Sequence, residues 1–261
     1  MFVAAETEEQ RERRERSRCL FDGVAELYDT HRQSYPPEIV DALCATAGIG
    51  PGADVLEIGC GTGQLTRQLA GRGFNMTAID IGAAMIATAA RHVADPMTRF
   101  HVCSFEQFAG RGRFDLIVSA TAFHWIDPAI GWSKSARLLH PGGWLALLST
   151  QELYPEPLRT RLRELWVSYS GQIVRWADQP AWVSGLRGST LFGEPVELLH
   201  ARAARLLVPT VIGVERTRAT FLSYSEREQA AFTADLSALL EPSLHVDLVQ
   251  ETLLAMAPTA A

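Results

Sequence analysis

The sequence predicts an α/β protein whose mostly parallel β-sheet is covered by helices on both faces. Two largely apolar runs are followed by residues that are typical of ligand-binding strand ends. Val55–Ile58 precedes alternating glycines, and Met76–Ile79 precedes Asp80. A third run, Phe114–Val118, leads into a loop of small residues. Short apolar runs separated by helical patterns are typical of buried parallel strands. A chain of 261 residues that is 47% apolar is long enough for one large domain with an insertion.

Composition excludes several classes of function. The net charge is −6, and no basic block occurs beyond the N-terminal segment, so we expect no nucleic-acid partner. The four cysteines are far apart and show no metal-ligand spacing, so we expect reduced thiols and no metal. The sequence has no signal-peptide pattern and no apolar run of membrane length. We therefore expect a cytoplasmic protein, without a membrane partner, that acts as a monomer or a homodimer.

The N-terminal part of the chain divides into an arm and a cap. Residues 1–19 are dominated by Glu and Arg, and we expect a solvent-exposed, flexible arm. Residues 20–150 are expected to form a ligand-binding core, and the first part of this core is an N-terminal cap. The cap combines a short amphipathic helix with a polar loop that carries Tyr28, Arg32 and Tyr35. For the two tyrosines, packing and ligand binding are equally acceptable interpretations, whereas a loop arginine favours pairing with a carboxylate.

The glycine loop after the first strand indicates a nucleotide-type pocket. Gly59, Gly61 and Gly63 alternate and are followed by a predicted helix from Gln64 to Ala70. Glycines allow a tight turn without a Cβ, and a helix start presents free N–H groups. A dinucleotide-binding fingerprint would have glycine at position 64, and a P-loop would continue with Gly-Lys-Ser/Thr. Neither pattern is present.

Asp80 strengthens the nucleotide interpretation. It lies 21 residues beyond Gly59, at the end of the predicted second strand. An acid at this distance accepts hydrogen bonds from the hydroxyl groups of a bound ribose.

These features, taken in order, resemble a known family. Glu57 precedes the first glycine of the loop by two residues. Phe21–Pro36 fits F-x-x-x-A-x-x-Y-D-x-x-R-x-x-Y-P, Phe114–Trp125 begins with F-D and ends with H-W, and Leu139–Leu145 fits L-x-P-G-G-x-L. The chain resembles class I S-adenosylmethionine-dependent methyltransferases, specifically the type-11 or trans-aconitate-methyltransferase-like group that acts on small molecules.

The resemblance implies a Rossmann-like, seven-stranded, mostly parallel sheet with N-terminal cap helices. It implies a helical substrate lid over residues 151–195, inserted after strand five. Residues 196–261 would then complete the sheet, with strands predicted over Val196–Leu207 and Val246–Ala257. The implied cofactor is S-adenosyl-L-methionine, which would leave as S-adenosyl-L-homocysteine.

The resemblance also implies the cofactor contacts. Glu57 would order the methionine ammonium group, Asp80 the ribose, and Ser104 the adenine edge. Ser104 stands where the family often has an acid, and Glu106 is expected only as an acid at a helix start. The expected cofactor-binding set is Glu57, Gly59, Cys60, Gly61, Gln64, Asp80, Ile81, Met85, Ser104, Phe105, Ala120, Tyr28 and Arg32.

Candidate catalytic residues are His124 and Tyr28. A histidine titrates near neutrality and is suited to remove a proton from an acceptor, but His124 could instead only hydrogen-bond the backbone or orient a substrate. The expected substrate-binding residues are Tyr35, Trp125, Trp166, Tyr169 and Trp176.

The aromatic content of residues 151–195 favours an apolar or aromatic acceptor, as in specialised metabolism, with the methylated atom (O, N or C) left open. The alternative is a protein of the same fold that binds S-adenosylmethionine and catalyses a reaction without methylation, such as a cyclisation.

Overall fold

A computed structural model describes residues 6–110, 112–171, 180–241 and 243–260. These residues form a seven-stranded sheet with the order β3-β2-β1-β4-β5-β7-β6. The strands are β1 Asp54–Ile58, β2 Asn75–Asp80, β3 Thr98–Val102, β4 Phe114–Ala120, β5 Leu139–Leu153, β6 Val196–Leu207 and β7 His245–Pro258.

Helices connect and cover the strands. Those that precede or cover the parallel part are α1 Glu8–Cys19, α2 Ala25–His31, α3 Pro37–Ala47, α4 Thr66–Leu69, α5 Ala83–His92 and α6 Pro128–Leu138. The later helices are α7 Leu158–Ser170, α8 Ala181–Arg187, α9 Val208–Arg216, α10 Ala219–Leu222 and α11 Glu226–Leu240. Short 3₁₀ helices occupy Leu20–Val24 and Phe123–Trp125.

The sheet has a parallel part and an antiparallel part. Strands β1 to β5 pair in parallel, and β7 runs antiparallel between β5 and β6. The predicted α/β class and the seven-stranded, mostly parallel sheet are therefore confirmed. Because β1 and β4 are neighbours that lead in opposite directions across the sheet, a crevice opens beyond their carboxyl ends.

Two apolar clusters hold helices against the two faces of the sheet. On one face, Val40 and Leu43 of α3 and Leu69 of α4 pack against Val55 and Leu116. The opposite face buries Leu138 of α6 and Val183 and Leu186 of α8 against the sheet. All of these side chains are almost inaccessible to solvent, so the helices fix the position of the strand ends.

The predicted flexible arm is instead a helix that packs against the rest of the protein. Thr7 and Gln10 form a capping box at the start of α1. Arg14 is buried and donates to the backbone carbonyl of Trp125 at 3.2 Å, while Arg18 pairs with Glu106 at 2.9 Å. The arginines are spaced at four residues, so both lie on the inner face of the helix.

The antiparallel strands continue beyond the parallel part of the sheet. The last pairing between β4 and β5 joins Ala120 to Leu148, whereas β5 continues to Leu153 beside β7. Five further residues at roughly 3.3 Å each add roughly 16 Å to the strand. This extension of β5, β7 and β6 forms a wall that rises above the carboxyl edge of the parallel strands.

A helical cluster covers one side of the wall. Trp166 of α7, Val211 of α9 and Phe232 of α11 are fully buried there, together with Val246 and Leu248 of β7. The charged centre of this cluster is Glu215, which accepts hydrogen bonds from Tyr154, Trp166 and Arg218. Although burial favours the neutral acid, the Arg218 guanidinium holds the pKa of Glu215 below its ordinary value.

Replacing Arg218 with methionine is expected to destabilise the fold strongly. The change leaves the fully buried Glu215 without its cation, and breaking such a pair typically costs about 3–5 kcal/mol. Urea denaturation would measure the loss. The matched control is Arg205→Met, because Arg205 pairs with Asp247 at the exposed surface, where ion pairs contribute little. Similar denaturation midpoints for the two variants would contradict this account of the cluster.

The glycine loop turns back against the second strand. The N–H groups of Gly59 and Cys60 both donate to the carbonyl of Ile79, at 2.8 and 3.1 Å. Gly59 has a φ of 69°, and a Cβ built there would lie 2.4 Å from the Cβ of Ala122. Both the left-handed backbone and the close approach therefore require glycine at this position.

Gly59→Ala is expected to lower the free energy of unfolding more than Gly48→Ala. Both positions have a left-handed φ, which costs a non-glycine residue about 1–2 kcal/mol, but a Cβ at Gly48 would meet open space. The difference between the variants isolates the collision with Ala122, and Ala122→Gly on the Gly59→Ala background should recover part of it. Equal denaturation midpoints for the two single variants would contradict the prediction.

Candidate active site

Two cavities meet beyond the carboxyl ends of β1, β2 and β4. The first has a volume of about 720 Å³ and the second about 560 Å³, both open to solvent. Their shared wall consists of Tyr28, Gly59, Gly61, Ala120 and Thr121. The shared wall makes the two cavities adjoining parts of one site.

Asp80 joins the glycine loop to the end of β2. Its two carboxylate oxygens accept hydrogen bonds from the N–H groups of Gly61 at 2.9 Å and Gly82 at 2.8 Å. Burial raises the pKa of Asp80, while these backbone donors oppose the rise. Each carboxylate oxygen has a second lone pair, so the side chain retains acceptor capacity toward the first cavity, which it lines.

Glu57 lies at the base of the second cavity. Its side chain is 1% exposed, and its Oε2 accepts a hydrogen bond of 2.7 Å from Thr66. Burial raises the pKa of Glu57 from 4.5 to about 8, and the Thr66 hydroxyl opposes this change. Because the folded pKa exceeds the unfolded one, the ligand-free protein loses stability as the pH rises from 4.5 through 8. A cationic ligand group would restore the charged form.

Two further loop residues line the second cavity as expected. Gln64 is buried and donates to the hydroxyl of Thr62 at 2.7 Å. Cys60 is also buried, and burial raises the pKa of its thiol well above the ordinary value. The neutral thiol contributes shape to the cavity and no charge.

The cap is anchored to the helices around the glycine loop. Asp22 accepts hydrogen bonds from the N–H groups of Ala84 and Met85 at the start of α5. On α2, Asp29 contacts Arg67 at 3.3 Å and His92 at 2.8 Å. These anchors place Tyr28, the residue before Asp29, in the shared wall of both cavities. Its ring packs edge-on against Phe21 with centroids 6.1 Å apart.

The rest of the cap faces the second cavity. Arg32 donates to the side chain and carbonyl of Thr217, and its guanidinium lies 5.3 Å from the centre of the Tyr28 ring. The hydroxyl of Tyr35 is 3.1 Å from that of Thr121, which has a left-handed φ of 57°. Burial, the main cause, raises the pKa of Tyr35, so its phenol stays protonated. Arg32, predicted for the cofactor, and Tyr35, predicted for the substrate, therefore both line this cavity.

The first cavity is lined by the apolar residues predicted for the base of a nucleoside, with one exception. Ile81, Met85 and Phe105 all contribute to its wall. Ser104 does not, because its side chain turns back to accept a hydrogen bond from the N–H of Gln107. The structure therefore does not place the Ser104 side chain in the wall of this cavity. Trp125, predicted for the substrate, also lines this first cavity.

His124 differs from its predicted position, because it lines neither cavity. Its ring packs against Trp125 with centroids 4.6 Å apart. Desolvation of the ring by its neighbours lowers the pKa of His124 below its ordinary value, although the residue as a whole is exposed. The imidazole is neutral at pH 7 in either case, but the structure does not bring it to the expected reaction point.

The aromatic residues predicted for the substrate pack into the helical cluster. Trp166 is fully buried, donates to Glu215 at 3.0 Å and packs against Phe232. Tyr169 donates to Asp235 at 2.7 Å and also contacts Phe232. Neither lines the two cavities, because the apolar side chains of α11 cover them. Trp176 lies outside the described residues.

Several residues that line the cavities were not predicted. Glu106 lines the first cavity, and its Oε2 is buried without a hydrogen-bond partner among the described residues. Burial opposes its ionisation, yet backbone N–H groups and Arg18 lower the pKa of Glu106 overall. The second cavity gains Thr150, Glu152 and Gln250 from the extended strands. These three carry no motif, and Glu152 falls within residues 151–195, which were predicted as a helical lid, whereas β5 continues to Leu153.

The described part of the chain contains no cluster of three or more His, Cys, Asp or Glu side chains able to hold a metal ion. None of its helices combines the length and the apolar character that a membrane span requires.

Part of the chain matches a known protein family. A family model described as a methyltransferase domain matches residues 56–147. An uncharacterized methyltransferase of Mycobacterium tuberculosis, Rv3342, is 33% identical over 156 residues, which cover 59% of this chain and 58% of the relative. A ubiquinone biosynthesis O-methyltransferase of Aromatoleum aromaticum is 31% identical over 47% of this chain and 53% of its own. The similarity thus spans little more than half the length of these relatives.

Solved structures show the same fold. A candidate type II methyltransferase of Anaeromyxobacter dehalogenans has a TM-score of 0.62 and 22% identity, covering 87% of this chain and 97% of its own. Phosphoethanolamine N-methyltransferase 2 of Haemonchus contortus, solved with S-adenosylhomocysteine, has a TM-score of 0.53 and 18% identity, covering 92% of this chain and 58% of its own. Together, the matched domain, the relatives and the fold support S-adenosylmethionine as the cofactor. Residues 56–147 therefore match a methyltransferase domain, and the described residues share the fold of solved methyltransferases.

Proposed function

We propose that this protein transfers a methyl group from S-adenosylmethionine to a small acceptor molecule that carries polar groups. The observation that supports this most directly is the shared wall of the two cavities, with Asp80 in the first and Glu57 in the second. We assign the nucleoside part of the cofactor to the first cavity. The second cavity then receives the methionine part and the acceptor.

The residues of the first cavity fit an adenosine. Asp80 has acceptor capacity for the two ribose hydroxyls, and Ile81, Met85 and Phe105 provide apolar contact for a base. The buried, unpaired Oε2 of Glu106 would accept the exocyclic amine of adenine, which takes over the role expected of Ser104. A buried acceptor without a partner is costly, so a donor from the ligand would stabilise this arrangement.

The residues of the second cavity fit the methionine part. Glu57 would hold the ammonium group, and Arg32 is a suitable partner for the carboxylate. Gly59 and Gly61 leave space for the ligand against the backbone. The sulfonium group supplies an activated methyl with a good leaving group. The protein then has to align the acceptor with it and exclude water.

Tyr28 is the side chain of the cap best placed to align the two ligands. It lies in the wall shared by both cavities and is held from either side by Phe21 and Arg32. We retain it as a positioning residue at the reaction point. His124 is removed from this role, because it lines neither cavity.

The second cavity favours a polar acceptor over the apolar or aromatic one that the sequence suggested. That expectation rested on Trp166, Tyr169 and Trp176, of which the first two pack in the helical cluster. Polar and charged side chains from the cap, the glycine loop and the extended strands line this cavity instead, among them Arg32, Gln33, Gln64, Thr150, Glu152 and Gln250.

Methyl transfer is tested with cofactor labelled at the methyl group. Isothermal titration with S-adenosylhomocysteine would measure binding to the wild type and to Asp80→Asn, which removes the charged acceptor for the ribose. We expect at least a tenfold loss of affinity, about 1.4 kcal/mol. The control is Asp41→Asn, since Asp41 lies at the surface of α3 beside Arg72.

Label appearing in a product formed from a metabolite extract would support the proposed reaction. Turnover of the cofactor with the label retained on it, or released with no methylated product, would contradict methyl transfer and favour a reaction such as cyclisation. Unchanged affinity of Asp80→Asn would contradict the assignment of the ribose.

Binding of S-adenosylhomocysteine is expected to release a proton below pH 8. The carboxyl of Glu57, with a pKa of about 8, is protonated in the free protein at pH 6.5, and the ligand ammonium favours its ionised form. Affinity should therefore fall as the pH drops from 8 to 6. It should also fall above pH 8, where the ligand amine loses its own proton.

Calorimetry at pH 6.5 in two buffers with different ionisation enthalpies measures the number of protons released. We expect the wild type to release close to one proton per ligand bound and Glu57→Gln to release close to none. Equal proton release by the two proteins would exclude Glu57 as the source.

A further inference from the structure

Three polar residues of the extended strands line the second cavity at a distance from the glycine loop. Thr150 and Glu152 alternate along β5, so their side chains lie on one face, and Gln250 of β7 is the cross-strand partner of Glu152. All three lie on the face that carries α3 and the helical cluster. Their role in the same site rests on the proposed function.

These residues are too far from Glu57 to bind the same ligand group. Strand β5 lies two positions from β1 in the sheet and β7 lies three positions away. At a spacing of about 4.8 Å, these positions correspond to roughly 10 and 14 Å. Glu152 also lies four residues beyond the last pairing of β4 with β5. A ligand group at Glu152 is therefore distinct from the one at Glu57.

Glu152 has one ion-pair partner among the described residues, Arg218, and it shares that partner with Glu215. Its side chain is 6% exposed, and its Oε2 is 3.4 Å from Arg218. Arg218 makes shorter hydrogen bonds of 2.7 and 2.9 Å to Glu215, so two buried carboxylates share one guanidinium. Among the described residues, the Oε1 of Glu152 has no hydrogen-bond partner. A carboxylate held by one long contact can accept a further charged donor, which favours a cationic ligand group at this place.

The other charged side chains that line this cavity have separate partners. Arg32 is bound through its Nε and one terminal nitrogen to Thr217. Arg202, which does not line the cavity, donates to the Oε1 of Gln250 at 2.8 Å, so that amide oxygen is occupied. Glu57 is assigned to the cofactor. The carboxylate of this cavity that remains available to an acceptor is therefore that of Glu152.

We propose that Glu152 binds a protonated amine of the methyl acceptor, with Thr150 as a second hydrogen-bonding group. An ammonium group offers three donors and a full positive charge, which a hydroxyl does not. An acceptor with a carboxylate at this end would place a third negative charge beside Glu152 and Glu215. The subsite therefore selects amine-bearing acceptors against neutral and acidic ones of the same shape.

The test uses three probes of nearly equal size on protein saturated with S-adenosylhomocysteine: benzylamine, benzyl alcohol and benzoate. Ligand-observed NMR titration at pH 7.5 gives a dissociation constant for each. For the wild type we expect benzylamine to bind at least tenfold more tightly than benzyl alcohol, and benzoate to bind least tightly. Glu152→Gln should reduce the preference for the amine to less than twofold.

The matched control is Glu251→Gln. Glu251 follows Gln250 in β7, so its side chain lies on the opposite face of the sheet, where it accepts a hydrogen bond from Gln151. This variant removes the same charge from the neighbouring strand and should retain the preference for benzylamine. Loss of the preference in both variants would attribute it to the overall charge of the protein and overturn the proposal.

Other outcomes also decide the matter. The proposal is overturned if the wild type does not bind benzylamine, or if it binds benzylamine and benzyl alcohol equally. It is also overturned if Glu152→Gln keeps the preference for benzylamine and only its thermal stability falls. Failure of the proposed function is detected separately, by calorimetry with S-adenosylhomocysteine on the same preparations. The amine titration is repeated without S-adenosylhomocysteine, so the subsite is tested even if that ligand does not bind.

Discussion

The carboxylate of Asp80 is the interaction on which the site depends. It accepts one backbone N–H from the glycine loop and one from the start of α5, so the ends of β1 and β2 hold a fixed separation. A carboxylate buried in this way is unfavourable unless it is hydrogen-bonded, which is why its backbone donors matter to the fold as well as to a ligand. The left-handed glycines supply the turn that brings the N–H of Gly61 to Asp80.

A second constraint comes from the difference in length between the parallel and antiparallel strands. The parallel strands β1 to β4 end at the crevice, but β5, β6 and β7 continue past it and need a cover for their apolar side chains. Helices α7, α9 and α11 supply that cover and bring Arg218 and Glu215 with them. The charged groups at the acceptor end are thus a consequence of how the extended strands are buried.

The order of the elements was predictable from local patterns, because strand length, glycine spacing and apolar periodicity are local properties. Val196–Leu207 was predicted with its observed bounds, and the ligand-facing positions of Glu57 and Asp80 followed from their place at strand ends. The helix α1 was missed as a packed element because its inner face depends on contacts with Glu106 and Trp125, which lie about a hundred residues away. Trp166 was misplaced for the same reason, since nothing near it in the sequence indicates its partners Glu215 and Phe232.

The two halves of the site differ in how much the family similarity says about them. Asp80, Phe105 and Glu57 lie within the matched residues 56–147, together with the glycine loop. The polar end of the second cavity is built from the cap and from the extended strands, through Arg32, Glu152 and Gln250, all outside that range. The similarity therefore bears on how the cofactor is held and leaves the acceptor undetermined. Because no motif fixes the acceptor end, its chemistry has to be derived from charge and burial in this chain, and the carboxylate of Glu152, which shares Arg218 with Glu215, is the strongest constraint there.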